Sequence, residues 1–323
     1  MRDGSILIKG INKMKLIIQV PCYNEADSLP ITLKELPRKV EGCDIVEWLV
    51  INDGSTDRTA EIAKAHGVEH IVSLTNNQGL AKAFTTGLDH CIKLGADIIV
   101  NTDADNQYNA LDIQKLIKPI LDGKADYVIG ARPVAQIRHY SFSKKLLHKL
   151  GSWVIRGVSK TDIPDPPSGF RAISKDAAMR LNVFSEYTYT LETIIQAGQK
   201  NMAVCFVPVE VNQDLRPSKL IKNIPTYIYK SFSTIIRIFV VYKPFRFFLT
   251  IGLIIFGLGL LLAVRFLYYW FIGEGRGHVQ SVVLSGVLMG MGFQTVLIAF
   301  IADLLSVNRK IIEDIQYRLR KSK

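Results

Sequence analysis

Two stretches near the C-terminus, residues 247–264 and 279–302, contain no charged residue. Each is long enough, as a helix, to cross about 30 Å of hydrocarbon. The link between them, Gly273-Glu274-Gly275-Arg276-Gly277-His278, is short and polar, so the two runs are expected to form a hairpin. A buried helical hairpin in a soluble protein is the competing reading, and two uninterrupted runs of this length disfavour it. Basic residues flank the outer ends: Arg237, Lys243 and Arg246 before, and Arg309, Lys310, Arg318, Arg320, Lys321 and Lys323 after. The positive-inside rule places both ends, and everything N-terminal to the hairpin, in the cytoplasm. Arg265 interrupts the apolar pattern beside Phe266, Tyr268, Tyr269, Trp270 and Phe271, where it can snorkel to the outer interface. Gly252, Gly257, Gly259, Gly286, Gly290 and Gly292 would allow close helix packing, within the hairpin or between subunits.

The hairpin accounts for the positive mean hydropathy, +0.18, and its flanks for part of the net charge of +11. Residues 215–245 add Arg216, Lys219, Lys222, Lys230, Arg237 and Lys243 among Ile, Tyr, Phe and Val. That mixture fits amphipathic helices on an anionic membrane surface. Nucleic acid explains the charge less well, because no recognised binding motif accompanies it. Cys22, Cys43, Cys91 and Cys205 are scattered, without metal-ligand or disulfide spacing. The start, Met1-Arg2-Asp3-Gly4-Ser5, does not resemble a signal peptide.

Residues 14–211 alternate between strand and helix patterns. Strands are expected at 15–20, 45–51, 70–74, 97–102, 127–130 and 204–211, and helices at 28–40, 57–66, 80–94 and 111–121. This α/β rhythm implies a mostly parallel sheet with helices on both faces. Open sheets of this kind hold ligands at the carboxyl ends of their strands. The apolar run Ile98-Ile99-Val100 is followed by Asp103-Ala104-Asp105 at such an end. An isolated D-x-D is more often a solvated turn. Here the turns after the first two strands, Pro21-Cys22-Tyr23-Asn24-Glu25 and Asn52-Asp53-Gly54-Ser55-Thr56-Asp57, converge on the same edge. Two carboxylates this close repel one another unless a cation lies between them. Hard oxygen ligands suit Mg²⁺ or Mn²⁺ bridging to substrate phosphates. Neither a dinucleotide fingerprint nor a P-loop is present.

The ordered set Val20-Pro21-Cys22-Tyr23-Asn24-Glu25, Asn52 to Asp57, Asn77-Gln78-Gly79-Leu80-Ala81-Lys82-Ala83, Asp103 to Tyr108, Gly130-Ala131-Arg132, Asp165-Pro166-Pro167-Ser168-Gly169-Phe170-Arg171 and Arg216 to Leu220 resembles family 2 glycosyltransferases. Within them it is similar to the polyprenyl-phosphate type, such as dolichol-phosphate mannose synthases and bacterial polyprenyl-phosphate hexosyltransferases. The resemblance covers roughly residues 14–225. It implies a GT-A fold, a nucleotide-sugar donor, Mg²⁺ or Mn²⁺, a polyprenyl phosphate acceptor and a lipid bilayer; some members with two membrane helices are tetramers. By the same resemblance, Pro21, Tyr23, Glu25, Asp53, Asp103 and Gln107 belong to the nucleotide-sugar pocket, with Asp53 on the base or ribose. Asp103 and Asp105 are the metal pair. Arg132, Arg216, Ser218 and Lys219 face the donor diphosphate or the acceptor phosphate. Asp105, Arg132 and Asp165 are the catalytic set, Asp165 lying on a loop near the sugar. The implied organisation is a cytosolic GT-A catalytic domain at 1–213, interfacial helices at 214–245, two transmembrane helices at 246–306 and a basic cytosolic tail at 307–323. One departure concerns residues 143–149, Ser-Lys-Lys-Leu-Leu-His-Lys, where mannose-transferring relatives tend to carry arginines. Lysines neutralise a phosphate but cannot grip it with a planar fork, so mannose is not implied.

The chemistry this implies needs no strong base. A phosphate monoester has a second pKa of about 6 and is largely a dianion near neutral pH. Alignment and charge neutralisation then carry the reaction, and a single in-line displacement inverts the anomeric centre. Two other readings compete. A processive polysaccharide synthase would normally carry Q-x-x-R-W, and Trp48, Trp153 and Trp270 are not preceded by arginine. A non-catalytic membrane scaffold would be favoured by loss of an acidic metal ligand, and both are present.

Overall fold

The computed structural model describes residues 13–133, 156, 159, 161–184, 189–212, 233, 236–237 and 240–322. The chain divides into two units, Met1–Ile221 and Lys222–Lys323. In the first, seven strands make one sheet: β1 (Lys15–Cys22), β2 (Ile45–Asn52), β3 (His70–Ser73), β4 (Ile98–Asn101), β5 (Tyr127–Ala131), β6 (Arg171–Ser174) and β7 (Val204–Pro208). Their order is β3-β2-β1-β4-β6-β5-β7. The pairs β1–β2, β1–β4, β2–β3 and β5–β7 are parallel, while β6 runs antiparallel between β4 and β5. The chain thus winds from β1 to one side and returns to place β4 on the other. That reversal opens a crevice at the carboxyl ends of β1 and β4.

Among the described residues, six α-helices accompany the sheet: α1 (Leu29–Glu35), α2 (Thr59–Ala65), α3 (Leu80–Lys93), α4 (Ile113–Leu121), α5 (Lys175–Arg180) and α6 (Thr190–Gln199). Leu16, Ile17, Ile18 and Val20 of β1 and Ile99 and Val100 of β4 are fully buried. Such runs need cover on both faces, and each buried Leu, Ile or Val is worth about 1.5–3 kcal/mol. Helix α1 stops well before residue 40. Leu36 adopts an extended conformation because Pro37 follows it. The short strand β6 and the helices α5 and α6 were not expected from the sequence. β6 has only four residues and begins with an arginine, so it carries no strand pattern.

The second unit contains α7 (Pro244–Phe271) and α8 (Val279–Lys321). At 1.5 Å per residue they measure about 42 and 65 Å, and both are long and apolar enough to cross a membrane. Helix α8 runs on past residue 306, through most of the segment expected to be a basic tail at 307–323. The two pack tightly on each other through three of the six glycines. A Cβ at Gly292 would come within 2.6 Å of the Phe256 nitrogen, one at Gly259 within 2.9 Å of the Met289 nitrogen, and one at Gly252 within 3.0 Å of the Gly292 oxygen. Gly257, Gly286 and Gly290 meet nothing within 4 Å. The Arg265 guanidinium lies 5.8 Å from the ring of Tyr269, one turn on.

Candidate active site

The loops after β1 and β2 are tied together by their own polar groups. The Asn24 amide donates to Ser55 Oγ at 3.0 Å, Asn24 Oδ1 accepts from the Thr56 amide at 2.8 Å, and the Ala26 amide donates to Asp57 Oδ2 at 3.0 Å. Asn24 takes φ +52° to make this possible, a conformation asparagine tolerates. Within the first loop, Ser28 Oγ donates to Glu25 Oε2 at 2.6 Å, which fixes a largely buried carboxylate. Pro21, next to last in β1, is buried, and Tyr23 is exposed. Asp53 is buried and accepts from the amides of Gln78 at 2.8 Å and Gly79 at 2.9 Å. Both of its oxygens therefore hold the loop leading into α3, a use the motif alone did not reveal. Gly54 lies so close that a Cβ would sit 2.3 Å from the Asn76 carbonyl carbon.

Beyond β4 the chain turns through Asp103-Ala104-Asp105 and reverses at Asn106, with φ +55°. Asp105 Oδ1 accepts from the Gln107 amide at 3.3 Å. Burial pushes the Asp103 carboxyl up to about 7, and the charge of Asp105 adds to the rise; Arg132 and Arg171 oppose it. Space for this carboxylate comes from Gly169, where a Cβ would lie 2.6 Å from Asp103 Oδ2. The pair fits a hard divalent ion, since two crowded oxygen donors store negative charge that a cation relieves. No cluster of three or more His, Cys, Asp or Glu ligands exists among the described residues. A magnesium-like ion needs none, because it takes one or two carboxylates and completes its shell with phosphate and water.

Arg132 and Asp165 meet beside this pair. Arg132 Nε donates to Asp165 Oδ2 at 2.7 Å and Nη2 to Oδ1 at 3.1 Å, a bidentate fork, and the Arg132 amide also donates to Oδ2 at 3.2 Å. The remaining arm of the fork, Nη1, donates to Gln107 Oε1 at 3.2 Å. Both charged side chains are nearly sealed from solvent, Asp165 at 1% exposure. Asp165 thus holds Arg132. The structure therefore gathers Asp103, Asp105, Gln107, Arg132 and Asp165 along one edge, with Pro21, Tyr23, Glu25 and Asp53 on the adjoining loops. Arg216, Ser218 and Lys219, with the lysine-rich stretch 143–149, lie outside the described residues.

Beneath the pair runs a buried polar network that the sequence reading did not single out. Gln19 Nε2 donates to Asn101 Oδ1 at 2.8 Å, and Asn101 Nδ2 donates to the Gly169 carbonyl at 2.8 Å and to Tyr189 Oη at 2.9 Å. Tyr189 stacks on Phe84 with ring centroids 3.8 Å apart. A polar residue inside an apolar strand, Gln19 between Ile18 and Val20, was the available signal, since buried amides need partners.

The family model described as glycosyl transferase family 2 matches residues 17–188. The chain belongs to that family. It is 28% identical to the undecaprenyl-phosphate mannosyltransferase of Micrococcus luteus over 218 residues, which cover 64% of this chain and 88% of that protein. The likeness to the glycosyltransferase AglJ of Haloferax volcanii is 26% identity over 313 residues, or 93% of this chain and 96% of the relative. Among solved structures, glucosyl-3-phosphoglycerate synthase from Mycobacterium tuberculosis, in complex with Mn²⁺, UDP and glucosyl-3-phosphoglycerate, superposes with a TM-score of 0.53 at 20% identity. That match covers 70% of this chain and 79% of the other, and establishes the likeness of fold. This family 2 glycosyltransferase therefore resembles an undecaprenyl-phosphate mannosyltransferase along about two thirds of its length and the glycosyltransferase AglJ along nearly all of it.

Proposed function

We propose that this glycosyltransferase moves one hexose from a nucleotide-sugar to a polyprenyl phosphate at the cytosolic face of the cell membrane, in a metal-dependent, inverting reaction. The observation that carries the reading is the Asp103–Asp105 pair set beside a buried, bidentate Arg132–Asp165 couple at the carboxyl edge of the sheet. The names of the relatives support the lipid-phosphate acceptor, and the Mn²⁺ and UDP bound in the synthase of like fold support the donor class.

Asp103 and Asp105 would hold Mg²⁺ or Mn²⁺, which when bound neutralises charge on the departing nucleoside diphosphate. Arg132 adds a fixed positive charge beside them. Asp165 orients its guanidinium and Gln107 limits its swing, so little reorganisation is needed when diphosphate charge develops. Tyr23 and the tied loops around Asp53 form the nucleotide side. Arg216, Ser218 and Lys219 serve the phosphates from the basic segment that leads to the membrane. The acceptor dianion is already a nucleophile near pH 7, so the site requires alignment of two anions and no dedicated base.

The test is the phosphate requirement. Purified full-length protein in lipid, given labelled nucleotide-sugars, should pass label to polyprenyl phosphate and leave free polyprenol unlabelled. Efficient labelling of free polyprenol would contradict the reading, because its hydroxyl would need a base.

A further inference from the structure

Arg171 opens β6 with its side chain wholly buried. Its Nε donates to the Ser168 carbonyl at 2.7 Å and its Nη2 to the Pro166 carbonyl at 2.8 Å. On the far side Nη1 donates to the hydroxyls of Tyr127 and Thr193 and to the Thr190 carbonyl. Each of these acceptors is neutral. Retaining a full charge under such cover is costly, and satisfying its donors does not require one. What the guanidinium grips is the turn 165–169. One end of that turn is Asp165, which fixes Arg132. The other end is Gly169, whose backbone lies against the Asp103 carboxylate and donates to Tyr108 Oη at 2.9 Å. The same turn thus touches both halves of the site; Asn101 of β4 holds its Gly169 carbonyl, and Arg171 ties its Pro166 and Ser168 carbonyls to β5 and α6.

We propose that Arg171 is a positioning residue of the donor site: by clamping the Pro166 and Ser168 carbonyls it sets the 165–169 turn, and through that turn the spacing between the metal-binding aspartates and the Arg132–Asp165 couple. This rests on the metal-dependent reading given above. Lysine at 171 keeps the charge but offers a single nitrogen, which cannot reach both carbonyls and the α6 side together.

The experiment compares the full-length parent with Arg171→Lys in detergent, by hydrogen exchange of residues 163–170 and by Mn²⁺ binding followed through the electron-spin signal of the free ion. Exchange in 163–170 should rise at least tenfold while α3 is unchanged, and the Mn²⁺ dissociation constant should rise at least tenfold. Unchanged exchange in the turn would overturn the clamp. Faster exchange with Mn²⁺ affinity held within twofold would overturn the link to the aspartates. If Arg171→Lys does not fold, Gly169→Ala asks the same question, since its Cβ would displace the Asp103 carboxylate: a tenfold loss of Mn²⁺ affinity supports the link, and unaltered affinity overturns it. A parent that binds no Mn²⁺ would instead sink the metal-dependent reading and the link with it, and exchange alone would still decide whether Arg171 sets the turn.

Discussion

Asp105 sits partly exposed in the turn beyond β4, where its Oδ1 accepts from the Gln107 amide. Asp105→Ala should therefore abolish transfer and leave the thermal midpoint within about 2 °C, the usual reach of a surface substitution. EDTA should mimic it with the parent chain, and full activity in either case would refute the assignment. Asp165 is the opposite case. Removing its carboxylate leaves the Arg132 guanidinium buried without its counter-charge, a loss of about 3–5 kcal/mol. Asp165→Ala should lower the midpoint by roughly 6–20 °C, at 2–4 °C per kcal/mol for a unit of this size. A shift below about 2 °C would show that the buried couple does not hold this edge together. Sequence motifs named Asp165 and Arg132 separately. Their pairing could not be read there, because 33 residues separate them and the segment between has no pattern pointing one at the other.

At the scale of elements, the hairpin gives a paired test. Valine at Gly292 would place carbon atoms inside the space of the Phe256 backbone, an overpacking cost of about 1–3 kcal/mol. Gly292→Val should loosen the α7–α8 pair and lower its thermal midpoint, whereas Gly286→Val and Gly290→Val, which meet open space, should leave it unchanged. Equal effects at all three positions would contradict the packing. The sequence offered six glycines without saying which served the hairpin, since that depends on the rotation of each helix about its axis. Strands β1, β2 and β4 were legible because their apolar runs are dictated by burial on both faces. Strand β6 was not, because it has only four residues and opens on Arg171, and an arginine by itself points to solvent. Gln19 and Asn101 show the same limit: each reads as an interruption of a strand until its partner 82 residues away is seen.

For the whole molecule, the flanking charges predict that both ends of the hairpin face the cytoplasm. Cysteine introduced at Gly275 should be labelled from outside intact cells, and cysteine at Ser322 should not; the reverse pattern would overturn the orientation. That orientation would put the chain N-terminal to the hairpin on the cytoplasmic side, as the proposed reaction requires. The fold and the family were open to reading from the order of the motifs, while the proposed acceptor residues Arg216, Ser218 and Lys219 lie outside the described residues. The most direct measurement is the mass of the lipid product formed by the purified full-length protein from a nucleotide-hexose and polyprenyl phosphate. A product heavier than the acceptor by one hexose, joined through a phosphodiester, is the predicted result. A ladder of products carrying several sugars would contradict single transfer and point to polymer synthesis.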